Sequence, residues 1–302
     1  MAMTPDWPGM QKLAEGMRRF RAKPFRAKCY SVLRRWQRWF PATTIPLRLP
    51  FGAWWLARAS TLDDRLLFGE FETAEIRFVD RYLRPGMTVL DIGAHHGLYT
   101  LLASKRVTTK GKVIAFEPSP RERQRLESHV RINSCSNVRI EPIALGSRTE
   151  QAELYIVHGA EDWCNSLRPP AIHEQISILR VDVLPLDEYL TNAGIRAVDF
   201  IKLDVEGAEL DVLRGAQNLL QMPPRPVILA EIQDRRTKPW GYSARDIVVT
   251  LDALNYLWFQ PLPNGTLVQI GVERGNFDAN LVAVPRERQS EVAACSNEDG
   301  SL

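Results

Sequence analysis

Short apolar runs alternate with amphipathic helical patterns from residue 86 onward, and this alternation limits the folds that the chain can adopt. Strands that are separated by helices pair side by side in one direction and bury a parallel sheet between two helical layers. The predicted strands are residues 88–92, 112–116, 138–143, 199–203, 227–232 and 280–284. The predicted helices are residues 98–106, 120–133, 209–220 and 244–254. We therefore predict an α/β fold with a mostly parallel sheet.

One stretch between the third and fourth predicted strands departs from this alternation. An extended run at 152–157 is followed by a polar loop at 158–176, a strand at 177–183 and a short helix at 186–192. Two extended segments joined by a polar loop indicate a hairpin. We expect this hairpin to form a lid over the functional site.

The first predicted strand runs into a glycine turn that opens a helix, and this pattern is typical of nucleotide-cofactor sites. Gly93 and Gly97 allow the backbone to approach a ligand closely. Glu117 ends the next strand, twenty residues after Gly97. A carboxylate at this distance can accept hydrogen bonds from both hydroxyls of a ribose. The segment therefore predicts a nucleotide cofactor bound between the turn and Glu117.

Asp91 distinguishes between two nucleotide cofactors. A dinucleotide brings its pyrophosphate to the start of the helix, where the Asp91 carboxylate would repel it, and the turn lacks a full G-x-G-x-x-G motif. S-adenosylmethionine has a ribose but no phosphate, and its methionine end carries an ammonium and a sulfonium that acidic groups attract. We therefore predict S-adenosylmethionine as the cofactor, and an NAD-dependent oxidoreductase is the alternative.

Carboxylates cluster where the predicted strands end, which is the edge of an open α/β sheet that binds ligands. Asp204 and Glu206 follow the fourth strand on one face, and Glu231 lies near the end of the fifth. We predict these three as catalytic residues, with Asp204 the first candidate for the general base. Glu209 is expected to complement the dipole of the following helix instead. Mg²⁺ between Asp204 and Glu231 is an alternative, but the predicted site contains no metal.

The composition is that of an ordinary globular protein. A chain of 302 residues, 45% hydrophobic and 25% charged, can bury about three-quarters of its unfolded surface. The four cysteines lie far apart without a C-x-x-C motif, so neither a zinc site nor a disulfide framework is predicted. We see no signal peptide and no apolar run of about eighteen residues. A cytoplasmic location is therefore the expectation.

Residues 11–40 form a basic and aromatic segment, here called the basic arm. The arm contains ten Lys or Arg, one acidic residue and five Trp or Phe, which gives it a charge of +9 and leaves −6 for the rest of the chain. A basic amphipathic helix can bind an anionic membrane surface, here at the inner face of the membrane, or it can dock its aromatics on the catalytic domain. No nucleic-acid partner is expected, because no binding motif accompanies the charge. We predict a helical extension over residues 1–68.

Several short segments occur in a fixed order between residues 69 and 285. They are G-E-F-E-T at 69–73, L-R-P-G at 83–86, the turn at 89–100, I-A-F-E-P at 114–118, A-L-G at 144–146, L-D-E-Y at 186–189, D-F-I-K-L-D-V-E-G-A-E at 199–209 and A-E-I at 230–232. Together they resemble the FkbM-type S-adenosylmethionine-dependent methyltransferases. The run at 199–209 is the specific part, because the turn alone would fit any class I methyltransferase.

This resemblance implies a Rossmann-like class I methyltransferase domain at 69–285, with a seven-stranded, mostly parallel sheet and helices on both faces. The apolar-poor segment at 286–302 is predicted to be a disordered polar tail. The expected cofactor-binding residues are Asp91, Gly93, Ala94, Gly97, Glu117, Pro118, Ala144, Leu145 and Asp204. The resemblance implies that the glycine turn surrounds the methionine moiety, that Glu117 binds the ribose, and that Ala144 and Leu145 lie near the adenine.

The resemblance also implies O-methylation of a hydroxyl on a sugar, glycan, polyketide or related small molecule. The acceptor oxygen would attack the methyl group in line while a nearby carboxylate takes its proton. His95 stands where the family often has Asn, and Gln233 stands where a His is frequent, so we assign no acid–base role to either. A catalytically silent binding protein on the same fold is the alternative function.

Overall fold

The computed structural model describes residues 35–36, 39–40, 43–58, 60–159, 163–170, 173–273 and 277–297. Most of the basic arm, and therefore its predicted helix, lies outside the described residues. The strands are β1 Ile45–Arg48, β2 Trp54–Ala57, β3 Thr88–Ile92, β4 Lys112–Phe116, β5 Val138–Glu141, β6 Ala144–Leu145, β7 Glu150–His158, β8 Gln175–Leu184, β9 Phe200–Leu203, β10 Val227–Gln233, β11 Tyr256–Pro261, β12 Leu267–Ile270 and β13 Asp278–Pro285.

The α-helices flank these strands, and two short 3₁₀ turns occur in addition. They are α1 Thr61–Phe68, α2 Thr73–Tyr82, α3 Leu98–Val107, α4 Pro120–Ile132, α5 Leu186–Asn192, α6 Glu209–Arg214, α7 Gln217–Gln221, α8 Asp234–Thr237, α9 Ala244–Asp252 and α10 Gln289–Asn297. The 3₁₀ turns are Lys238–Trp240 and Arg286–Arg288.

The central sheet has eight strands in the order β12-β11-β13-β10-β9-β3-β4-β5. β5, β4, β3, β9 and β10 run parallel to one another, whereas β13 runs antiparallel between β10 and β11. The chain runs outward from β3 to β5 and, after β6–β8, returns to β9 on the other side of β3, so the strand order reverses between β3 and β9. Ligands bind in the crevice at the carboxyl ends of strands at such a switch point.

Alternating side chains of the strands form two apolar layers. Leu90 and Ile92 pack with α5, α6 and α9 on one face of the sheet, whereas Val89 packs with α2 and α3 on the other face. The α/β class, the Rossmann-like arrangement and the helices on both faces are therefore confirmed. The sheet has eight strands instead of the predicted seven, because the short β12 pairs with the outer edge of β11.

Two other elements differ from the prediction for physical reasons. The helix predicted at 209–220 is divided into α6 and α7, because Ala216 leaves the helical region with φ −119° and ψ +23°. Gly215 packs closely there, since an added Cβ would lie 2.0 Å from the Gly146 carbonyl oxygen. The predicted disordered tail is helical over residues 286–297. Arg288 and Val292 are buried there, and the Arg288 guanidinium donates hydrogen bonds to the Asp199 and Arg225 carbonyl oxygens.

The described part of the N-terminal extension contains a hairpin, β1–β2, in addition to a helix. Trp55 of β2 is fully buried, stacks on His129 with ring centroids 4.0 Å apart, and donates a hydrogen bond from Nε1 to Asp63 at 2.7 Å. Asp63 also accepts hydrogen bonds from the Arg58 amide and the Ser60 hydroxyl. This segment is therefore part of the folded body and differs from the all-helical extension that the sequence predicts.

The predicted hairpin between the third and fourth strands is present. β7 and β8 pair antiparallel from Glu150 opposite Val183 to His158 opposite Gln175, and β6 adds a third strand beside β8. Residues 163–170, here called the lid loop, fold back over the carboxyl ends of the sheet. The Ser166 hydroxyl donates a hydrogen bond to the Glu206 carbonyl oxygen at 2.9 Å, which fixes the lid loop to the turn after β9.

The turns after β3 and β9 touch at Gly93. Its φ is +80°, which favours glycine, and a Cβ added there would lie 1.8 Å from the Asp204 carbonyl oxygen. Gly86 has a similar φ of +95°, but an added Cβ would meet no atom of the described residues within 4 Å. A comparison of substitutions at Gly86 and Gly93 therefore separates the effect of backbone strain on stability from the effect of the close contact between the two turns.

We expect Gly86→Ala to destabilise the protein by about 1–2 kcal/mol, through strain alone. Gly93→Ala adds a clash with backbone that cannot rotate away, so we expect it to cost more than about 4 kcal/mol. Urea unfolding followed by circular dichroism measures both. Equal losses for the two variants would contradict the contact.

Candidate active site

A cavity of about 640 Å³ lies at the switch point of the sheet. It is lined by the turns after β3, β4 and β9, by the end of β10, by the lid loop and by the N-terminal segment around α1 and α2. The sequence-predicted residues that line it are Asp91, Gly93, Ala94, Glu117, Pro118, Ala144, Leu145, Asp204, Glu206 and Glu231. Gly97 does not line the cavity; with φ +88° it forms the N-cap of α3 beside Leu126.

Glu117 is held by two backbone amides at the end of β4. His95 N donates to Oε2 at 2.7 Å and Ser119 N donates to Oε1 at 2.9 Å, so each oxygen keeps a second acceptor position. Burial, and next the charge of Glu122, raises the pKa of Glu117 to about 8. Hydrogen-bond donors from a ligand would favour its ionised form. The residue is therefore suited to bind a pair of hydroxyls.

An apolar wall lies next to Glu117. Ala144 and Leu145 of β6 are buried there and line the cavity together with Phe116 and Ile143. Such a wall accepts a flat apolar ring, and the adjacent carboxylate would accept the hydroxyls of an attached sugar. This combination fits a nucleoside.

Lys202 is the buried cation of the site. Its side chain is 2% exposed, and Nζ lies 3.0 Å from Asp204 Oδ2 and 5.3 Å from the centre of the Tyr99 ring. Burial lowers the pKa of Lys202, but the charges of Asp204, Glu72 and Glu231 outweigh burial and raise it. For Asp204 the two effects have the opposite signs. Burial raises its pKa, but the Lys202 ammonium outweighs burial and lowers the pKa below its usual value. The pair is therefore ionised at neutral pH.

Glu206 and Glu231 complete a cluster of three carboxylates with Asp204, with one oxygen of each lying within 4.8 Å of the others. Burial and the Asp204 charge raise the pKa of Glu206 to about 8 and that of Glu231 well above its usual value. Arg236 Nε lies 2.7 Å from Glu206, so Asp204 and Glu206 each already have a cationic partner. The cluster can therefore exchange protons and accept hydrogen bonds from hydroxyl groups.

The Glu209 side chain binds backbone amides of the turn before α6, a role additional to the helix-dipole role that its position predicts. Its Oε1 accepts hydrogen bonds from Val205 N at 3.1 Å and from Gly207 N at 3.2 Å. The side chain is 2% exposed, and these two hydrogen bonds hold the turn that carries Asp204 and Glu206.

The two adjacent histidines are both neutral. Burial, and next the charge of Arg125, lowers the pKa of His95 to about 3, while burial and His95 lower that of His96. His95 lines the cavity, but an imidazole with this pKa is a weak proton acceptor at neutral pH. Its defined contribution is the backbone amide that binds Glu117.

Several cavity residues were not predicted from the sequence. Glu72 lies at the start of α2 with φ +40°, and the Tyr99 hydroxyl donates to its Oε2 at 2.6 Å. Trp55 reaches the cavity from the N-terminal hairpin, and Trp163 and Ser166 reach it from the lid loop. Glu72 and Tyr99 had a signal, because they belong to the segments at 69–73 and 89–100, whereas Trp55, Trp163 and Ser166 lie outside every such segment.

Curated relatives match part of this chain. The 2-O-methyltransferase NoeI of Sinorhizobium fredii is 27% identical over 149 residues, which are 45% of this chain and 60% of that protein. Methyltransferase 1 of Beauveria bassiana is 30% identical over 145 residues, which are 42% of this chain and 57% of that protein. The chain thus spans less than two thirds of the length of these relatives.

A crystal structure of Methyltransferase FkbM from Methylobacillus flagellatus is 18% identical, with a TM-score of 0.43, and the match covers 74% of this chain and 52% of that one. The family model described as the Methyltransferase FkbM domain matches residues 91–258. This range contains the glycine turn, Glu117 and the three carboxylates, and it is more than half of the sequence. The chain belongs to the FkbM methyltransferase domain family.

Proposed function

We propose that this protein transfers a methyl group from S-adenosylmethionine to a hydroxyl of a sugar, glycan, polyketide or related small molecule. Family membership supports methyl transfer, and the 2-O-methyltransferase activity in the name of one relative supports an oxygen acceptor. The observation that carries the proposal is a single cavity that combines a nucleoside-binding wall with a cluster of carboxylates.

The residues of the cavity fit the proposed cofactor. Glu117 would bind the ribose hydroxyls, and Ala144 and Leu145 would contact the adenine. Asp91 is 2% exposed, its Oδ2 accepts a hydrogen bond from Thr100, and burial raises its pKa to about 6, so a nearby cation would be favourable. S-adenosylmethionine, when bound, supplies an electrophilic methyl group.

Asp204 is the residue that we assign to the acceptor hydroxyl. Because Lys202 keeps it ionised, Asp204 can accept a hydrogen bond from the hydroxyl and orient its oxygen. The hydroxyl proton becomes acidic only as the new C–O bond forms, so a carboxylate of low basicity can take it. Glu206 and Glu231 are second candidates, and at neutral pH their raised pKa values favour the protonated form. Positioning contributes ~7–11 kcal/mol in good geometry, and a base adds about 10²–10⁴-fold.

Glu117→Ala should weaken binding of S-adenosylhomocysteine by about 1.5–3 kcal/mol, because it removes hydrogen bonds to a charged group. Isothermal titration calorimetry measures the change. Glu127→Ala, an exposed glutamate on α4, is the matched control and should bind as the wild type does. Unchanged affinity in a folded Glu117→Ala variant would remove Glu117 from the site.

Asp204→Asn should lower turnover of an identified acceptor by about 100-fold or more, because the amide cannot take the proton. Asp211→Asn, which alters a surface ion pair with Arg214, should turn over normally. Wild-type rates in Asp204→Asn would contradict the mechanism, and EDTA should leave wild-type turnover unchanged. Tight S-adenosylhomocysteine binding without turnover of any hydroxylated acceptor would favour the silent binding protein.

We also propose that the basic arm binds anionic lipid. Three of its described aromatics are strongly exposed, Trp36 at 54%, Trp39 at 83% and Phe40 at 51%, and Trp36 stacks on Phe40 with ring centroids 4.6 Å apart. Within the described residues no helix has the length and apolar character needed to cross a bilayer. The charge of the arm and these aromatics suit the surface of a membrane.

Deletion of residues 1–40 should abolish sedimentation with phosphatidylserine vesicles and leave S-adenosylhomocysteine affinity unchanged, because the hairpin that lines the cavity stays intact. Added salt should mimic the deletion, since each Lys or Arg near an anionic surface contributes about 1 kcal/mol that salt screens. Phosphatidylcholine vesicles are the control. The proposal fails if the full chain does not sediment with anionic vesicles at low salt.

A further inference from the structure

We propose that Glu72 binds the ammonium group of the methionine moiety of the cofactor, with Tyr99 as its positioning residue. The inference rests on S-adenosylmethionine as the proposed cofactor. Glu72 precedes the residues that match the family model, which begin at 91, so the family match does not assign it.

Glu72 reaches the cavity because of its backbone. It is the N-cap of α2 in the left-handed region, with φ +40° and ψ +44°, and its side chain makes no hydrogen bond to its own helix. A non-glycine residue in this region is strained unless the surroundings hold it. Here the Tyr99 hydroxyl holds Oε2 at 2.6 Å, and Glu72 lines the same cavity as Asp91 and Gly93.

The charges around Glu72 leave room for one more cation. Lys202 forms its close ion pair with Asp204 at 3.0 Å. Glu72 and Asp91, in contrast, accept hydrogen bonds from the neutral hydroxyls of Tyr99 and Thr100. Two carboxylates whose hydrogen-bond partners are neutral therefore line the same cavity as Gly93 of the glycine turn.

A primary ammonium group matches this arrangement. It has three donors and a full positive charge, so it can donate to two carboxylates at once. Burial, the largest influence on Glu72, raises its pKa, and a bound cation would offset that effect. Tyr99 also lines the cavity and acts on the ammonium through Glu72, since its hydroxyl donates to that carboxylate and its ring lies against Lys202.

Two cofactor fragments provide the test. S-adenosylhomocysteine carries the ammonium, whereas 5′-methylthioadenosine keeps the nucleoside and the thioether and lacks the amino-acid group. Glu72→Gln should lower the affinity for S-adenosylhomocysteine by about 10–100-fold, the loss expected for a charged hydrogen bond. Its affinity for 5′-methylthioadenosine should stay unchanged, which also shows that the variant is folded.

Two further variants sharpen the experiment. Tyr99→Phe should cause a smaller loss in the same direction, because it frees Glu72 but keeps its charge. Glu70→Gln makes the same chemical change two residues away on an exposed side chain and should affect neither ligand. Calorimetry or fluorescence titration of the full chain measures all four proteins.

Each outcome has a definite meaning. Selective loss of S-adenosylhomocysteine supports the inference. Unchanged S-adenosylhomocysteine affinity in Glu72→Gln, or an equal loss of both ligands, overturns it while the proposed function stands. If the wild-type protein binds neither ligand, the proposed function itself fails.

Discussion

The Lys202 ammonium is the charge on which the rest of the site depends. An isolated buried ion costs several kcal/mol, so Lys202 is stable only because Asp204 lies 3.0 Å away and the Tyr99 ring lies under it. The dependence is mutual, because the Lys202 ammonium keeps Asp204 ionised, while burial and the Asp204 charge favour the protonated forms of Glu206 and Glu231. Lys202 thus stabilises Asp204, the carboxylate of the cluster that is ionised at neutral pH.

A second buried network attaches the N-terminal segment to the domain. Asp63 is completely buried and accepts hydrogen bonds from Trp55, Arg58 and Ser60, and Arg125 of α4 lies 3.7 Å from it. Trp55 in turn lines the cavity. One wall of the site is therefore built by residues that precede the family match, whereas the glycine turn, Glu117 and the carboxylates lie inside it.

The sequence was most informative where local patterns decide the structure. The bounds of β3 and β4 were predicted to the residue, and Asp91, Glu117 and Asp204 follow from strand ends and spacing, so they do line one cavity. β11 was missed because a run that ends in Pro261 resembles a loop more than a strand.

Contacts between distant segments were not predictable in the same way. Trp55 and Ser166 reach the cavity only after two hairpins have docked, and no spacing in the sequence records that docking. The polar composition of residues 286–302 concealed a helical segment at 286–297 that the buried Arg288 and Val292 attach to the domain. Local patterns therefore predicted the cofactor end of the site better than the wall that faces it.

The position of β13 has a consequence for synthesis of the chain. β13, near the carboxyl end of the described chain, pairs with both β10 and β11 in the interior of the sheet, and Val282, Ala283 and Val284 are completely buried there. A nascent chain that has not yet emerged beyond residue 285 exposes two unpaired strand edges, which are sites of aggregation. The sheet therefore cannot be completed until β13 has left the ribosome. Until then the edges of β10 and β11 are the surfaces that a chaperone would have to shield from aggregation.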